Sequence, residues 1–217
     1  MPGLFITFEG GEGSGKSTQI ARLAAHQRAL GLDPLVTREP GGTALAEGIR
    51  ALLLDSSVAP PGAVSEALLI VAARADLVSA VIRPALAAGR NVLCDRYTDS
   101  TLAYQGAGRG LEAGMLEGWN AVATGGLAPD LTFLFDLDPE IGLARRASAG
   151  VSTNRLDRES LPFHQRVRAR YLELAASNPK RWIILDAKAS HDQLEYRIWE
   201  AFEVLRRGRV KDVAAGC

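Results

Sequence analysis

The chain has 217 residues, 47% hydrophobic and 23% charged, and its 25 basic and 25 acidic residues cancel to a formal net charge of zero. That composition suits one α/β domain with a real core, and zero net charge provides no long-range pull toward nucleic acid or an anionic membrane. Neither partner is expected, and any anion site must be built locally.

Arginine outnumbers lysine 21 to 4. Its planar fork suits phosphates and carboxylates, but only arginines beside motifs carry weight. The two cysteines, Cys94 in an apolar run and Cys217 at the end, have no zinc spacing and predict no disulfide framework. The opening residues lead into an apolar strand without a basic leader, and no apolar run approaches the ~18 residues of a membrane span. A soluble, cytoplasmic protein is expected.

Residues 4–9 form a short β-rich run that breaks into glycines and then opens a helix with Ile20, Leu23 and Ala24 at helical spacing. Further strand signals fall at 34–37, 91–95, 131–137 and 182–186. Helical patterns separate them, at 43–54, 62–86 with a break near Pro84, 114–123, 139–149, 161–177 and 191–207. Five alternating strands imply a mainly parallel sheet covered on both faces, with ligands beyond the C-terminal strand ends. The polar, glycine-containing stretch 148–158 reads as a mobile loop, and 211–217 as a disordered tail after a single domain spanning 1–210.

The first strand is followed by Gly10, Gly11, Glu12, Gly13, Ser14, Gly15, Lys16 and Ser17, then Thr18. This is the P-loop pattern GxxxxGK[ST] in its required strand–loop–helix setting. The chemistry needs these residue types. Glycines let backbone N–H groups face a β-phosphate, the helix N-terminus adds positive dipole, Lys16 reaches the β and γ phosphates, and Ser17 can ligate Mg²⁺. A dinucleotide site would need glycine where Lys16 stands. Guanine-reading, switch and transporter signatures are absent, which disfavours a GTPase switch or transporter-type ATPase.

A second polar set can hold a second anionic substrate: residues 38–42, Arg50, Arg74, Asp95-Arg96-Tyr97 and Tyr104-Gln105. Asp95 and Arg96 follow an apolar run and so fall at a strand end beside the P-loop, where Arg96 can bridge two phosphates and Asp95 can hold Mg²⁺ or its water. His26, His164 and His191 lie in helical surface patterns, and none reads as a catalytic base. A phosphate monoester acceptor needs none, because its second pKa near ~6 makes it a dianion at neutral pH. The residues thus point to a nucleoside monophosphate kinase; a different nucleoside or nucleotide kinase and a non-catalytic NTP-binding module are the alternatives.

The chain resembles the thymidylate kinase (dTMP kinase) family over nearly its whole length. The resemblance rests on Phe8-Glu9-Gly10 through Thr18, residues 37–43, Ala72-Ala73-Arg74, Asp95-Arg96-Tyr97 continuing through 100–106, and residues 129–132 with 137–140. It implies a P-loop NTPase fold with a doubly wound parallel five-stranded sheet, and transfer of the ATP γ-phosphate to dTMP with Mg²⁺ in a cytoplasmic homodimer serving dTTP biosynthesis. It also implies roles: Lys16 and Arg96 in catalysis, with Arg96 and Arg50 on the acceptor phosphate; Arg74, Thr101 and Gln105 on the thymine edge; Tyr104 against the sugar; Glu39 near sugar and metal; Ser17 and Asp95 on Mg²⁺.

Some family members carry a catalytic arginine in the P-loop and others in the lid. Here residues 11–14 contain none, so the cation is expected from elsewhere: Arg155 in the 148–158 loop first, then Arg145, Arg146 or Arg158. Ile70 stands where the family usually has an aromatic residue stacking on thymine, and Asn154 precedes Arg155 where an acidic residue is common.

Overall fold

The computed structural model describes residues 2–55, 57, 59–148 and 155–215. Five strands, β1 (Phe5–Gly10), β2 (Leu35–Arg38), β3 (Val92–Asp95), β4 (Leu131–Asp136) and β5 (Trp182–Asp186), form one sheet in the order β2-β3-β1-β4-β5. All neighbouring pairs are parallel. Every residue of β1 is buried, as expected of a central strand covered on both faces.

The helices are α1 (Lys16–Ala29), α2 (Ala44–Leu54), α3 (Ala63–Leu77), α4 (Arg83–Ala87), α5 (Thr98–Thr101), α6 (Ala113–Thr124), α7 (Pro139–Ser148), α8 (Leu161–Ser177) and α9 (His191–Ala215). The break expected near Pro84 lies earlier: α3 ends at Leu77 and a π-helical stretch, Val78–Ile82, joins it to α4, where Pro84 sits in the first turn and needs no N–H donor. A second π-helical stretch, Leu102–Gly108, continues α5, a region without an expected helix. Helix α9 runs to Ala215, into the segment read as a disordered tail. Of the expected 148–158 loop, residues 149–154 lie outside the described set, while Leu156–Arg158 form a 3₁₀ turn.

One sheet face buries Ile6, Phe8, Phe133 and Phe135 against Ile20 and Leu23 of α1 and against Leu194, Ile198 and Phe202 of α9. The apolar stripe of α9 is therefore core, with Leu205 packed at its edge. The other face packs Phe5, Val92 and Cys94 on Leu77, Val78 and Ile82, and Leu134 on Val167 and Tyr171 of α8. Buried side chains of this size contribute ~1.5–3 kcal/mol each. Cys94 is a free buried thiol, its pKa pushed well up by burial.

This layout brings the ends of β1, β2 and β3 together. Residue pairs Phe8↔Asp95 and Arg38↔Asp95 are in register, so Arg38, Asp95 and the P-loop leave the sheet side by side at its C-terminal edge.

Candidate active site

The phosphate loop connects β1 to α1. Gly10 at φ 136° leaves no room for a side chain, since a Cβ there would lie 2.5 Å from the Phe135 carbonyl oxygen. Gly15, at φ 90°, caps α1. Lys16 Nζ donates to the carbonyls of Gly10 (3.1 Å) and Gly11 (2.9 Å) and lies 3.4 Å from Ser14 Oγ. Burial lowers its pKa, helped by Arg96. Ser17 Oγ donates to Asp95 Oδ2 at 3.3 Å, while buried Asp95 Oδ1 has no hydrogen-bond partner among the described residues.

A cleft of about 650 Å³ opens over this loop, walled by Glu12 to Thr18, Arg38, Arg50, Asp95, Arg96, Arg145 and Arg146. Beside it lies a smaller pocket of about 60 Å³, lined by Ile70, Arg74, Ser100, Thr101, Tyr104 and Gln105. Glu39, Pro40, Arg96 and Leu156 line both.

Arg96 has φ 70°, the only non-glycine residue at positive φ among those described. Such backbone costs on the order of 1–2 kcal/mol, and the surroundings hold it in place. Its N–H donates to the Phe8 carbonyl (3.0 Å), and its guanidinium bonds Glu12 Oε1 (2.7 Å) and the Tyr171 hydroxyl (3.2 Å) while lying 4.8 Å from the Tyr104 ring centroid. Glu12 is an ionised hub: burial would raise its carboxyl, but Arg96, Lys16 and Arg146 hold it at about 2.

Arg74 is 1% exposed and spends all five N–H groups internally. Nε and Nη2 bond Glu39, Nη2 also the Tyr97 carbonyl, and Nη1 the Thr101 hydroxyl and Asn120 Oδ1. Burial pushes the Glu39 carboxyl up, opposed by Arg74, and Glu39 Oε1 is a buried acceptor with no partner among the described residues.

The thymidylate kinase family model matches residues 8–198. The chain is 54% identical to a thymidylate kinase from Thermomicrobium roseum over 94% of its length and 97% of the relative's, and 54% identical to one from Deinococcus radiodurans over 92% and 96%. Its fold is similar to the crystal structure of thymidylate kinase from Ehrlichia chaffeensis, with a TM-score of 0.75 and 31% identity, covering 93% of this chain and 99% of that one. The chain belongs to the thymidylate kinase family.

Of the residues that the family resemblance singled out for the acceptor, Glu39, Arg74, Arg96, Thr101, Tyr104 and Gln105 line one pocket, with Ile70 among them. Arg50 stands instead in the larger cleft, Nη1 donating to the Pro40 carbonyl at 3.1 Å. Arg155, the first choice for the lid cation, is not brought to either cavity. Its Nε donates to the Leu53 carbonyl (3.0 Å) and its Nη2 to Glu66 Oε2 (2.6 Å). Arg145 and Arg146 line the phosphate cleft, and Arg146 bonds Asp157 of the lid at 2.7 Å. Arg158 lines neither cavity, and Asn154 lies outside the described residues.

A backbone contact with α7 closes one P-loop position, Gly13, to any side chain. A Cβ on Gly13 would come within 2.1 Å of the Gly142 carbonyl oxygen on α7, and one on Gly142 within 2.2 Å of the Glu12 carbonyl oxygen. Loop and helix touch backbone to backbone, which excludes a side chain at Gly13 and sets Arg145 and Arg146 one turn beyond the contact.

Two residues at the site were given no role from sequence. Glu9 is fully buried beneath the site, accepting from the Tyr97 N–H (2.8 Å), Ser100 Oγ (2.6 Å) and the Tyr171 hydroxyl (2.8 Å). Burial and then Asp99 raise its carboxyl to about 7. An acidic residue inside an apolar strand was the available signal. His164, read as surface, is 5% exposed beside Glu12 and Gly11, with its pKa lowered by burial.

Proposed function

We propose that the chain transfers the γ-phosphoryl group of ATP to dTMP, giving ADP and dTDP, with ATP in the larger cleft and dTMP in the smaller pocket. The observation that carries this reading is the shared wall. Glu39, Pro40, Arg96 and Leu156 line both cavities, so a monophosphate in one and a triphosphate over Lys16 would meet at Arg96. None of the three histidines lines either cavity, in keeping with an acceptor that is already a dianion.

In this reading Lys16 exchanges its loop carbonyls for β and γ phosphate oxygens, and the backbone N–H groups of residues 13–18 at the start of α1 complete the anion cradle. Ser17 Oγ and the partnerless Asp95 Oδ1 are hard oxygen donors that fit Mg²⁺. When bound there, the ion neutralises charge on the phosphate oxygens. Arg96 and Arg50 steady the acceptor phosphate, and Arg146, already in the cleft, supplies the cation the P-loop lacks. Arg155 acts as a lid anchor in this arrangement, and reaches phosphate only if it leaves Glu66. Glu39 Oε1 offers its open acceptor to a sugar hydroxyl or a metal-bound water, Tyr104 walls the sugar, and Thr101 and Gln105 meet the base.

The reading treats residues 1–210 as one kinase domain acting in the cytoplasm; none of the described helices is long and apolar enough to cross a membrane. It extends to a homodimer, supported by exposed Leu45 and Leu52 on α2, Val64 and Leu68 on α3, and Val122 on α6. Incubation with ATP, Mg²⁺ and dTMP should yield ADP and dTDP in equal amounts. ADP release that does not depend on dTMP would contradict the proposal.

A further inference from the structure

Glu66, on the first turn of α3, is 2% exposed and does not line the acceptor pocket. Its two oxygens receive four donors. Gln105 Nε2 (2.8 Å) and Arg109 Nε (3.2 Å) reach Oε1; Arg109 Nη2 (3.2 Å) and lid Arg155 Nη2 (2.6 Å) reach Oε2. Burial would raise this carboxyl, but hydrogen bonds from Gln105, Arg155 and Arg109 hold it low. It is therefore an ionised group that only accepts.

An acceptor-only partner decides which way an amide lies. The Gln105 NH₂ must face Glu66, which turns its carbonyl oxygen, on the opposite side of the same planar group, away from the carboxylate. Gln105 itself lines the pocket. Thr101 Oγ1 accepts from Arg74 Nη1 at 2.8 Å, which leaves its hydroxyl hydrogen free to donate and one lone pair free to accept.

We propose that Glu66 is a specificity-determining positioning residue: by locking the Gln105 amide it fixes a carbonyl acceptor in the pocket, beside the Thr101 hydroxyl, which is able to donate. A thymine or uracil edge, with a ring N–H donor next to a carbonyl acceptor, complements that pair. A cytosine edge, with a ring-nitrogen acceptor next to an amino donor, opposes the Gln105 carbonyl, while the Thr101 hydroxyl, which keeps a second lone pair, can serve either edge. Because Arg155 binds the other oxygen of Glu66, the lid and the base-reading amide are fastened to one carboxylate. This inference rests on the reading of the smaller pocket as the dTMP site.

The test is the ratio of kcat/KM for dTMP over dCMP, and for dTMP over dUMP, in the full-length enzyme and in Glu66→Gln. An amide at position 66 can donate or accept, so Gln105 is free to turn over. The dTMP/dCMP ratio should fall by at least about tenfold, the size of one hydrogen bond, while dTMP/dUMP stays within about threefold because uracil has thymine's polarity. A merely structural role would lower all three substrates together and leave both ratios unchanged, which would overturn the inference. Gln105→Ala should lose as much dTMP/dCMP discrimination as Glu66→Gln, and the double variant no more than either. If Glu66→Gln does not fold, an unchanged ratio in Gln105→Ala overturns the inference by itself. Absence of dTMP-dependent turnover in the unmodified enzyme would instead refute the assignment of the pocket.

Discussion

Nη2 of Arg96 lies 2.7 Å from Oε1 of Glu12, so the arginine that walls both cavities is held by the phosphate loop itself. The loop that grips one nucleotide thereby positions the group that would touch the other. Glu12→Gln removes the charge while keeping the shape. It is expected to lower kcat/KM for dTMP by about 10- to 100-fold, the scale of a lost charge-assisted bond, with ATP affinity changed only a few-fold. Steady-state kinetics alongside nucleotide titration checks this.

Arg146 on α7 and Arg155 in the lid have separate roles. Arg146 faces Glu12 and lines the phosphate cleft, whereas Arg155 is held by Glu66 and the Leu53 carbonyl. Arg146→Ala should lower kcat by roughly 10³-fold, as for other arginines acting on a transferring phosphoryl group, and Arg155→Ala by much less. Equal or reversed losses would show that the lid rearranges in the substrate complex.

Glu9 makes stability depend on pH. Its carboxyl titrates at about 7 in the folded chain against 4.5 ordinarily. Below pH 4.5 both states hold the proton. Between there and 7 the unfolded chain loses it first, so stability falls as pH rises, by roughly 3 kcal/mol across the window. Glu9→Gln should flatten this slope and be the more stable protein at pH 8 in denaturant titrations. An unaltered slope would mean that other groups set it.

Ile70 lines the smaller pocket, at the position where the family resemblance leads one to expect an aromatic residue. Ile70→Phe should lower KM for dTMP by about tenfold, within the ~1–3 kcal/mol range of base stacking on an aromatic ring. An unchanged KM would show that the base does not lie against this residue.

Much of this arrangement was legible in the sequence because its signals are local. The P-loop follows a strand and opens a helix, and Asp95-Arg96 closes an apolar run, so parallel pairing alone brings them together. The five strands matched their expected positions to within a residue or two for the same reason. What escaped depends on contacts far apart in the chain. The π-helical Leu102–Gly108 stretch packs Ala103 and Tyr104 on α8, and no periodicity announces it. The pairing of Arg155 with Glu66 spans 89 residues, and the clash that excludes a side chain at Gly13 comes from the backbone of α7. His164 reads as surface by pattern, yet it is 5% exposed and borders a small cavity together with Gly11 and Glu12 of the P-loop and Leu143 of α7.

The most direct test of the account is acceptor-dependent turnover of ATP with dTMP, dUMP, dCMP, AMP and GMP compared at equal concentration. The pocket built from Arg74, Thr101, Tyr104, Gln105 and Ile70 predicts the highest kcat/KM for dTMP, lower values for dUMP, and little turnover of dCMP and the purine nucleotides. Preference for another acceptor, or ADP release without any, would contradict it.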